Sequence, residues 1–299
     1  MKRTISAIAA ATLALTLAAC SNDDATTDTT TGSDKLATDL SSITKDEKIA
    51  AMVPDAIAAD GKLVVGTNIF FAPAEFYASD GVTPLGYDID MGNAIGKILG
   101  LEVEFQQAEF ASIIPGMGSR YEVGIANFTI NAEREEVVDM IAYLQAGSAW
   151  AVPAGNPTGF DQTKPCGKVV GVQTGTYQEE VLTDMNANQC KDNPIQIQSL
   201  SEQSAVTLRV ASGQVDAMYT DSPVADYAIS LNEGKIERIG EVEDSASYGI
   251  VTTKDNPELT AAIQAALQKL MDDGELTKIF NTWGISEGVA GEAVLNPAA

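Results

Sequence analysis

The chain has 299 residues, with 18 Lys and Arg against 42 Asp and Glu, no His, and a formal net charge of −24. So acidic a surface repels nucleic acid and anionic lipid headgroups. The lack of histidine removes Ser-His-Asp and Cys-His catalysis and His-ligated zinc, and no GxxxxGK[ST] or GxGxxG segment follows a strand-like run to hold a nucleotide.

At the N-terminus a basic "MKR" precedes the apolar "TISAIAAATLALTL", which is short for a membrane span and runs into "LAAC", Leu17 to Cys20. That order resembles a bacterial lipobox, with a signal peptide of residues 1–19 cut before Cys20 and lipid, palmitate included, on Cys20. An ordinary secretory signal or an N-terminal anchor helix is the alternative. Residues 21–34, "SNDDATTDTTTGSD", hold no large apolar side chain and read as a disordered tether. Residues 20–60 are thus expected to be a lipid-anchored tether and lead-in, and no later segment reads as a membrane span.

From Lys62 strands and helices alternate. "KLVVGT" (62–67) reads as a buried strand. "YDIDMGNAIGKILG" (87–100) reads as a helix capped by Asp88 and ended by Gly100, with Met91, Ala94, Ile95, Ile98 and Leu99 on one apolar face. "LEVEF" (101–105) alternates as a strand does, and "ASIIPGM" and "YEVGIANF" add a helical turn and a strand. The pattern restarts after Asn156-Pro157 with strand "KVVGV", helix "TYQEEVLTDMNAN", strand "PIQIQSL", helix "SEQSAVTLRVASG", strand "QVDAMYT" and helix "SPVADYAISLNEG". Strand "YGIVTT" (248–253), the amphipathic helix "NPELTAAIQAALQKLMDDG" (256–274) and "ELTKIFNTWG" (275–284) follow. Repeated β-α-β units predict parallel sheets flanked by helices. With Cys20 assigned to lipid, Cys166 and Cys190 are an even pair in an exported chain, so a disulfide is expected, two separate thiols being the alternative.

One segment stands out electrostatically. "NFTINAEREEVVD" (127–139) carries a single cation, Arg134, among four carboxylates. Asn131 reads as a helix N-cap, which puts Arg134 near the positive end of the helix dipole, a mildly unfavourable place. Either it pairs with Glu135, Glu136 or Asp139 on the surface, or it awaits an anion from outside the chain.

Seven segments in order, "GKLVVGTNIFFAPAEF", "LGYDIDMGNAIGKILG", "FASIIPGM", "NFTINAEREEVVD", "VVGVQTGTYQEE", "QVDAMYTDSPVADY" and "DDGELTKIFNTWG", resemble the solute-binding proteins of bacterial ABC importers, in the branch for polar amino acids. The resemblance implies an α/β, two-lobed periplasmic-binding-protein-like fold, each lobe a sheet flanked by helices, with two hinge-strand crossings. Lobe 1 would take residues 61–148 and 247–285, lobe 2 residues 149–246, and residues 286–299 a C-terminal tail. It implies a monomeric receptor without cofactor or metal that closes on an amino acid and delivers it to a membrane permease. Many Gram-positive members are lipoproteins, which agrees with a lipid anchor on the outer face of the cell membrane.

Matching positions imply the site. Arg134 would fork onto the ligand carboxylate, with Thr129, Ala126, Asn127 and Thr176 adding polar contacts. Asp221 would take the ammonium; its competing role is to cap the helix begun by Ser222-Pro223. Phe71 and Phe110 would wall the ligand side chain, or simply pack the core. The face of Phe70 is left open, Asp216 reads as structural, and Glu135 and Glu136 as solvated. Asn68 stands where many members have Asp, which argues weakly against a cationic ligand. Tyr177 and Ala126 also depart from the common Thr and Ser. Two other functions compete: an exported cyclohexadienyl dehydratase-like enzyme, for which Glu75 or Glu109 would have to serve as acid or base, and a sensor or adhesin lipoprotein that uses the fold without transport.

Overall fold

The structure is a computed structural model and describes residues 37–298. The expected signal peptide, Cys20 and the tether through residue 36 lie outside the described residues. The lead-in is docked, not loose. It carries α1 (Glu47–Ala50) and α2 (Asp55–Asp60). Asp46 caps α1 through its carboxylate and donates its own N–H to Ile98 O, and Thr38 N–H and Trp283 Nε1–H both donate to the buried Asp90.

β1 (Lys62–Thr67) is followed by a small antiparallel sheet of β2 (Phe70–Phe71), β3 (Glu75–Tyr77) and β4 (Pro84–Leu85). α3 (Tyr87–Leu99) buries its predicted apolar face, and Gly100 ends it in the left-handed conformation. Its N-cap is Gly86 at φ 131°, where a Cβ would lie 2.0 Å from Ala74 O, so only glycine is accommodated. Asp88 is therefore not the cap it resembles in sequence. β5 (Glu102–Gln107), α4 (Phe110–Gly116), β6 (Val123–Thr129) and α5 (Ala132–Val137) complete this part. All of β6 is buried, as its apolar run requires.

β7 (Val138–Pro153) leads into β8 (Val169–Gln173), α6 (Tyr177–Ala187), β9 (Gln196–Leu200), α7 (Gln203–Ala211), β10 (Ala217–Asp221) and α8 (Ser222–Leu231). The chain returns by β11 (Ile236–Thr253) to α9 (Pro257–Asp272) and α10 (Glu275–Thr282). The main sheet has the order β5-β1-β6-β11-β7-β10-β8-β9. β1 is parallel to β5 and β6, and β8 is parallel to β9 and β10, whereas β7 and β11 pair antiparallel. These two long strands cross between the halves. The first half of β11, "IERIGEVED", alternates too little and is too polar to be read as a strand from sequence; pairing with β7 makes it one, with register shifts near Glu243. Apolar clusters around Ile95, Ile263 and Phe280, and around Phe128 and Met140, lie on one side of the crossing. Clusters around Trp150 and Leu182, and around Val206 and Met218, lie on the other.

Residues beyond Glu287 form a strap rather than a free tail. Gln145 N–H donates to Gly288 O, Ala142 N–H to Val294 O, Ala290 N–H to Tyr143 O and Asn296 N–H to Met140 O. The strap thus satisfies backbone groups along an otherwise open edge of β7, a role that its composition does not announce.

Candidate functional site

Four strands end at one place. The C-terminal ends of β1, β6, β8 and β10 deliver Thr67-Asn68, Asn127 to Thr129, Gln173 and Asp221, and helices α4, α5, α6 and α8 begin just beyond. In open α/β sheets the crevice beyond the carboxyl ends of the strands is where ligands bind, because loops and helix N-termini converge there.

Arg134 is the third residue of α5, and its N–H is capped by Asn131 Oδ1 at 2.9 Å. The side chain is only 8% exposed. Nη1 donates to Thr129 O at 2.7 Å, and Nη2 to Gly175 O at 3.2 Å in the other half of the molecule. The guanidinium carbon lies 5.6 Å from the centre of the Phe110 ring. Its nearest carboxylate is Glu180, at 3.9 Å and half exposed, a weak pair at best. None of Glu135, Glu136 or Asp139 pairs with it; Asp139 instead meets Lys254 at 3.0 Å. Burial works against its charge, yet an arginine stays protonated, so the site holds a desolvated cation. Glu135, expected in solvent, is 5% exposed because the strap covers it: Ala298 N–H donates to its Oε1. Glu136 is exposed.

Asp221 ends β10 and is 2% exposed. Although it precedes α8, it makes no capping bond. Its oxygens accept from Asn127 Nδ2 at 2.8 Å and Gln178 Nε2 at 2.7 Å. Burial pushes its carboxyl up to about 6 in spite of these donors, Tyr248 and Arg134. Asp216, by contrast, ties Val169 N–H at 2.7 Å and is structural.

Asn127 adopts a left-handed backbone, φ 53°. Its N–H donates to Asp88 at 2.9 Å, and its Oδ1 accepts from the hydroxyls of Tyr87 and Tyr143. Tyr143 also donates to Asp88, whose carboxyl burial raises to about 7. Beside Asp88 stands Glu75, fully buried on β3. Burial first, and then the charges of Asp88 and Asp221, push its carboxyl well above the usual range. Neither Glu75 oxygen meets an amide, hydroxyl or cationic donor among the described residues; its hydrogen-bonding neighbour is the carboxyl of Asp88.

Asn68 donates to Ala108 O at 2.7 Å and accepts from Gln173 Nε2 at 2.9 Å, a third contact between the halves. Thr176 caps α6, accepting from Glu179 N–H and donating to Gln173 O at 2.7 Å. Phe110 stacks on Phe128 with centroids 4.8 Å apart and meets Arg134 with its ring. Phe71 is in the main core cluster and pairs in register with Glu75. Phe70 packs edge-on against Tyr77. Ala126 is buried and offers only its backbone.

Sequence reading passed over Gln173, Gln178 and Gly175, and took Asp88 for a helix cap. Amides and a glycine carry no periodic signal, and the contacts that bring them to the site come from far along the chain: Gln173 meets Asn68 105 positions away, Gln178 meets Asp221 43 away and Gly175 meets Arg134 41 away. Two surface grooves, of about 710 Å³ behind the crossing strands and about 330 Å³ between β2-β3 and α7-α8, are not lined by Arg134, Asn127 or Asp221. Cys166 and Cys190 are bridged, tying the end of α6 to the start of β8. Among the described residues no cluster of His, Cys, Asp and Glu is arranged to hold a metal ion, and no helix is long and apolar enough to cross a membrane.

The family of bacterial extracellular solute-binding proteins, family 3, matches residues 63–286. The arginine-binding protein ArgT of Corynebacterium glutamicum is 36% identical over 253 residues, 83% of each chain. An ancestral arginine-binding protein bound to arginine superposes with TM-score 0.70 at 35% identity, over 75% of this chain and 98% of that one. The ancestral amino acid-binding protein AncCDT-1, a precursor of cyclohexadienyl dehydratase, gives 0.69 at 29% identity, over 77% of this chain and 98% of that one.

Proposed function

The chain belongs to family 3 of the bacterial extracellular solute-binding proteins, and from that premise we propose that it captures a cationic amino acid, arginine foremost, and delivers it to the permease of an ABC importer. The observation that carries this reading is the charge layout of the cleft. One buried guanidinium, Arg134, stands at one end, and the carboxyls of Glu75, Asp88 and Asp221 gather at the other.

An α-amino acid presents a carboxylate and an ammonium, and each must exchange water for fixed partners. Arg134 takes the carboxylate with its planar fork, aided by Thr129 and the N-terminal N–H groups of α6 after Thr176. Asp221 takes the ammonium, held in place by Asn127 and Gln178. Glu75, which has no amide, hydroxyl or cationic donor among the described residues, takes the side-chain cation, and Phe71 and Phe110 flank the aliphatic stem. Glu75 on β3 thereby supplies the negative charge that Asn68 lacks, and a cationic ligand fits the cleft. The names of the arginine-binding relatives support the same class.

In this proposal residues 61–148 with 247–285 and residues 149–246 are the two lobes. The contacts Arg134–Gly175, Asn68–Gln173 and Asn127–Asp221 hold the closed form, which docks on the permease, and β7 and β11 are the hinge. The protein acts as a monomer outside the cytoplasm, tethered by lipid on Cys20, a reading that rests on "LAAC". It performs no chemistry of its own: Glu109 is exposed, and Glu75 serves as a counter-charge. The test is a thermal-shift panel of the common amino acids, with prephenate and arogenate alongside. Arginine or lysine should raise the melting temperature; a panel without response, or consumption of prephenate, would overturn the proposal.

A further inference from the structure

Glu75, Asp88 and Asp221 come from three elements, β3, α3 and β10, and all are essentially without solvent contact. The groups that face them are few. From α3 comes Tyr87, from β7 Tyr143 and from β11 Tyr248, all buried phenols. From β6 comes Asn127, from α6 Gln178, and from α5 Arg134, the one cation facing them among the described residues. These are distributed unevenly. Asp221 has two amide donors and feels the field of Arg134; Asp88 has a backbone N–H and a tyrosine hydroxyl. Glu75 has no amide, hydroxyl or cationic donor among the described residues; it lies against the carboxyl of Asp88, with Asp221 and the phenols of Tyr87 and Tyr143 also in its field.

Two buried carboxyls side by side with no cation between them do not both ionise, because desolvation and mutual repulsion act in the same direction. Building on the cationic-ligand reading above, we propose that Glu75 holds a proton against Asp88 until the ligand's side-chain cation displaces it, so that each captured arginine releases about one proton. The step balances simply. The Glu75 O–H bond breaks, its electron pair stays on the carboxylate, the proton leaves to solvent, and guanidinium N–H groups take over the two oxygens. Burial raises both carboxyls in the direction this requires, Asp88 to about 7. The sign for affinity follows. Below the titration of the pair, binding must work against the proton, so affinity falls by up to about tenfold for each pH unit lost. Above it, affinity is level. Release of arginine is thus favoured wherever the medium turns acidic.

Two measurements test this. Arginine is titrated calorimetrically into the protein at pH 7 in phosphate and in Tris, whose ionisation heats differ; the difference in apparent heat reports protons exchanged. About one proton released is expected. Binding without proton exchange overturns the inference and leaves the cationic reading intact, whereas absence of binding by both arginine and lysine overturns the two together. Difference infrared spectra of the ligand-free protein and of Glu75→Gln locate the proton without any need for the variant to bind. A protonated-carboxyl stretch present in the native protein, absent in Glu75→Gln and lost on adding arginine to the native protein supports the proposal. No such band in the native protein contradicts it.

Discussion

Asn127 donates its side-chain amide to Asp221 at 2.8 Å, joining the end of β6 to the end of β10 across the two halves of the molecule. The same residue gives its backbone N–H to Asp88. One asparagine thus holds two buried carboxyls in register, from a left-handed backbone that asparagine tolerates better than most side chains. Asn127→Ala should lose both the amide bridge and that tolerance, lowering stability by roughly 2–3 kcal/mol. Asn127→Gly, which removes the bridge but relieves the backbone, should cost less. Urea unfolding of the two variants checks the order.

The buried acids set a pH dependence of the ligand-free protein. Burial pushes the carboxyl of Asp221 up to about 6 and that of Asp88 up to about 7, both above an unfolded aspartate. Between about pH 4 and 7 the folded chain therefore binds more protons than the unfolded chain, and their contribution to stability falls as pH rises. For Asp221 the full change is roughly 3 kcal/mol. Denaturant unfolding at pH 5 and pH 7 should show a smaller drop for Asp221→Asn than for the native chain.

The strap is a structural element of its own. Backbone donors or acceptors of Met140, Ala142, Tyr143 and Gln145 are satisfied by residues 288–296. Ending the chain at Glu287 strips five bonds to the β7 backbone, counting Met140 N–H to Asn296 Oδ1, besides those to the side chains of Glu135, Asp139, Gln264 and Gln268. At about 0.5–1 kcal/mol each, the loss is roughly 3–5 kcal/mol. Hydrogen exchange should quicken at those β7 amides and leave β8 and β10 unchanged.

The Cys166–Cys190 bridge closes a separation of 24 residues in the other half. In the chain-entropy account its loss destabilises by about 3–4 kcal/mol. Cys166→Ser with Cys190→Ser should melt earlier by that measure, while arginine should still raise the melting temperature, since the proposed site lies at the other end of α6.

The sequence carried the strand and helix order well where apolar periodicity is strong, as in α3, α9 and β6. It also marked Arg134, since a lone cation at a helix start conflicts with local electrostatics. The rest depended on contacts that no local window contains. Asp88 looks like an N-cap because aspartate before an apolar helix usually is one; here β6 reaches it first through Asn127. Glu135 looks solvated until the strap covers it. Glu75 sits in a short strand after "FFAPA" with nothing to mark its burial, and only its placement beside Asp88 and Asp221 makes it the counter-charge proposed for a ligand. Asn68, conspicuous in the sequence, proves to be occupied by Ala108 and Gln173.

The most direct test of the account is a calorimetric titration of arginine into the native protein and into Arg134→Ala. One site per chain is expected for the native protein, with stabilisation of about 2.7 kcal/mol at a hundred times its dissociation constant. Arg134→Ala should show no binding while its ligand-free melting stays within a few degrees of native. Arginine binding in Arg134→Ala as tight as in the native protein, or none in either, would contradict the account.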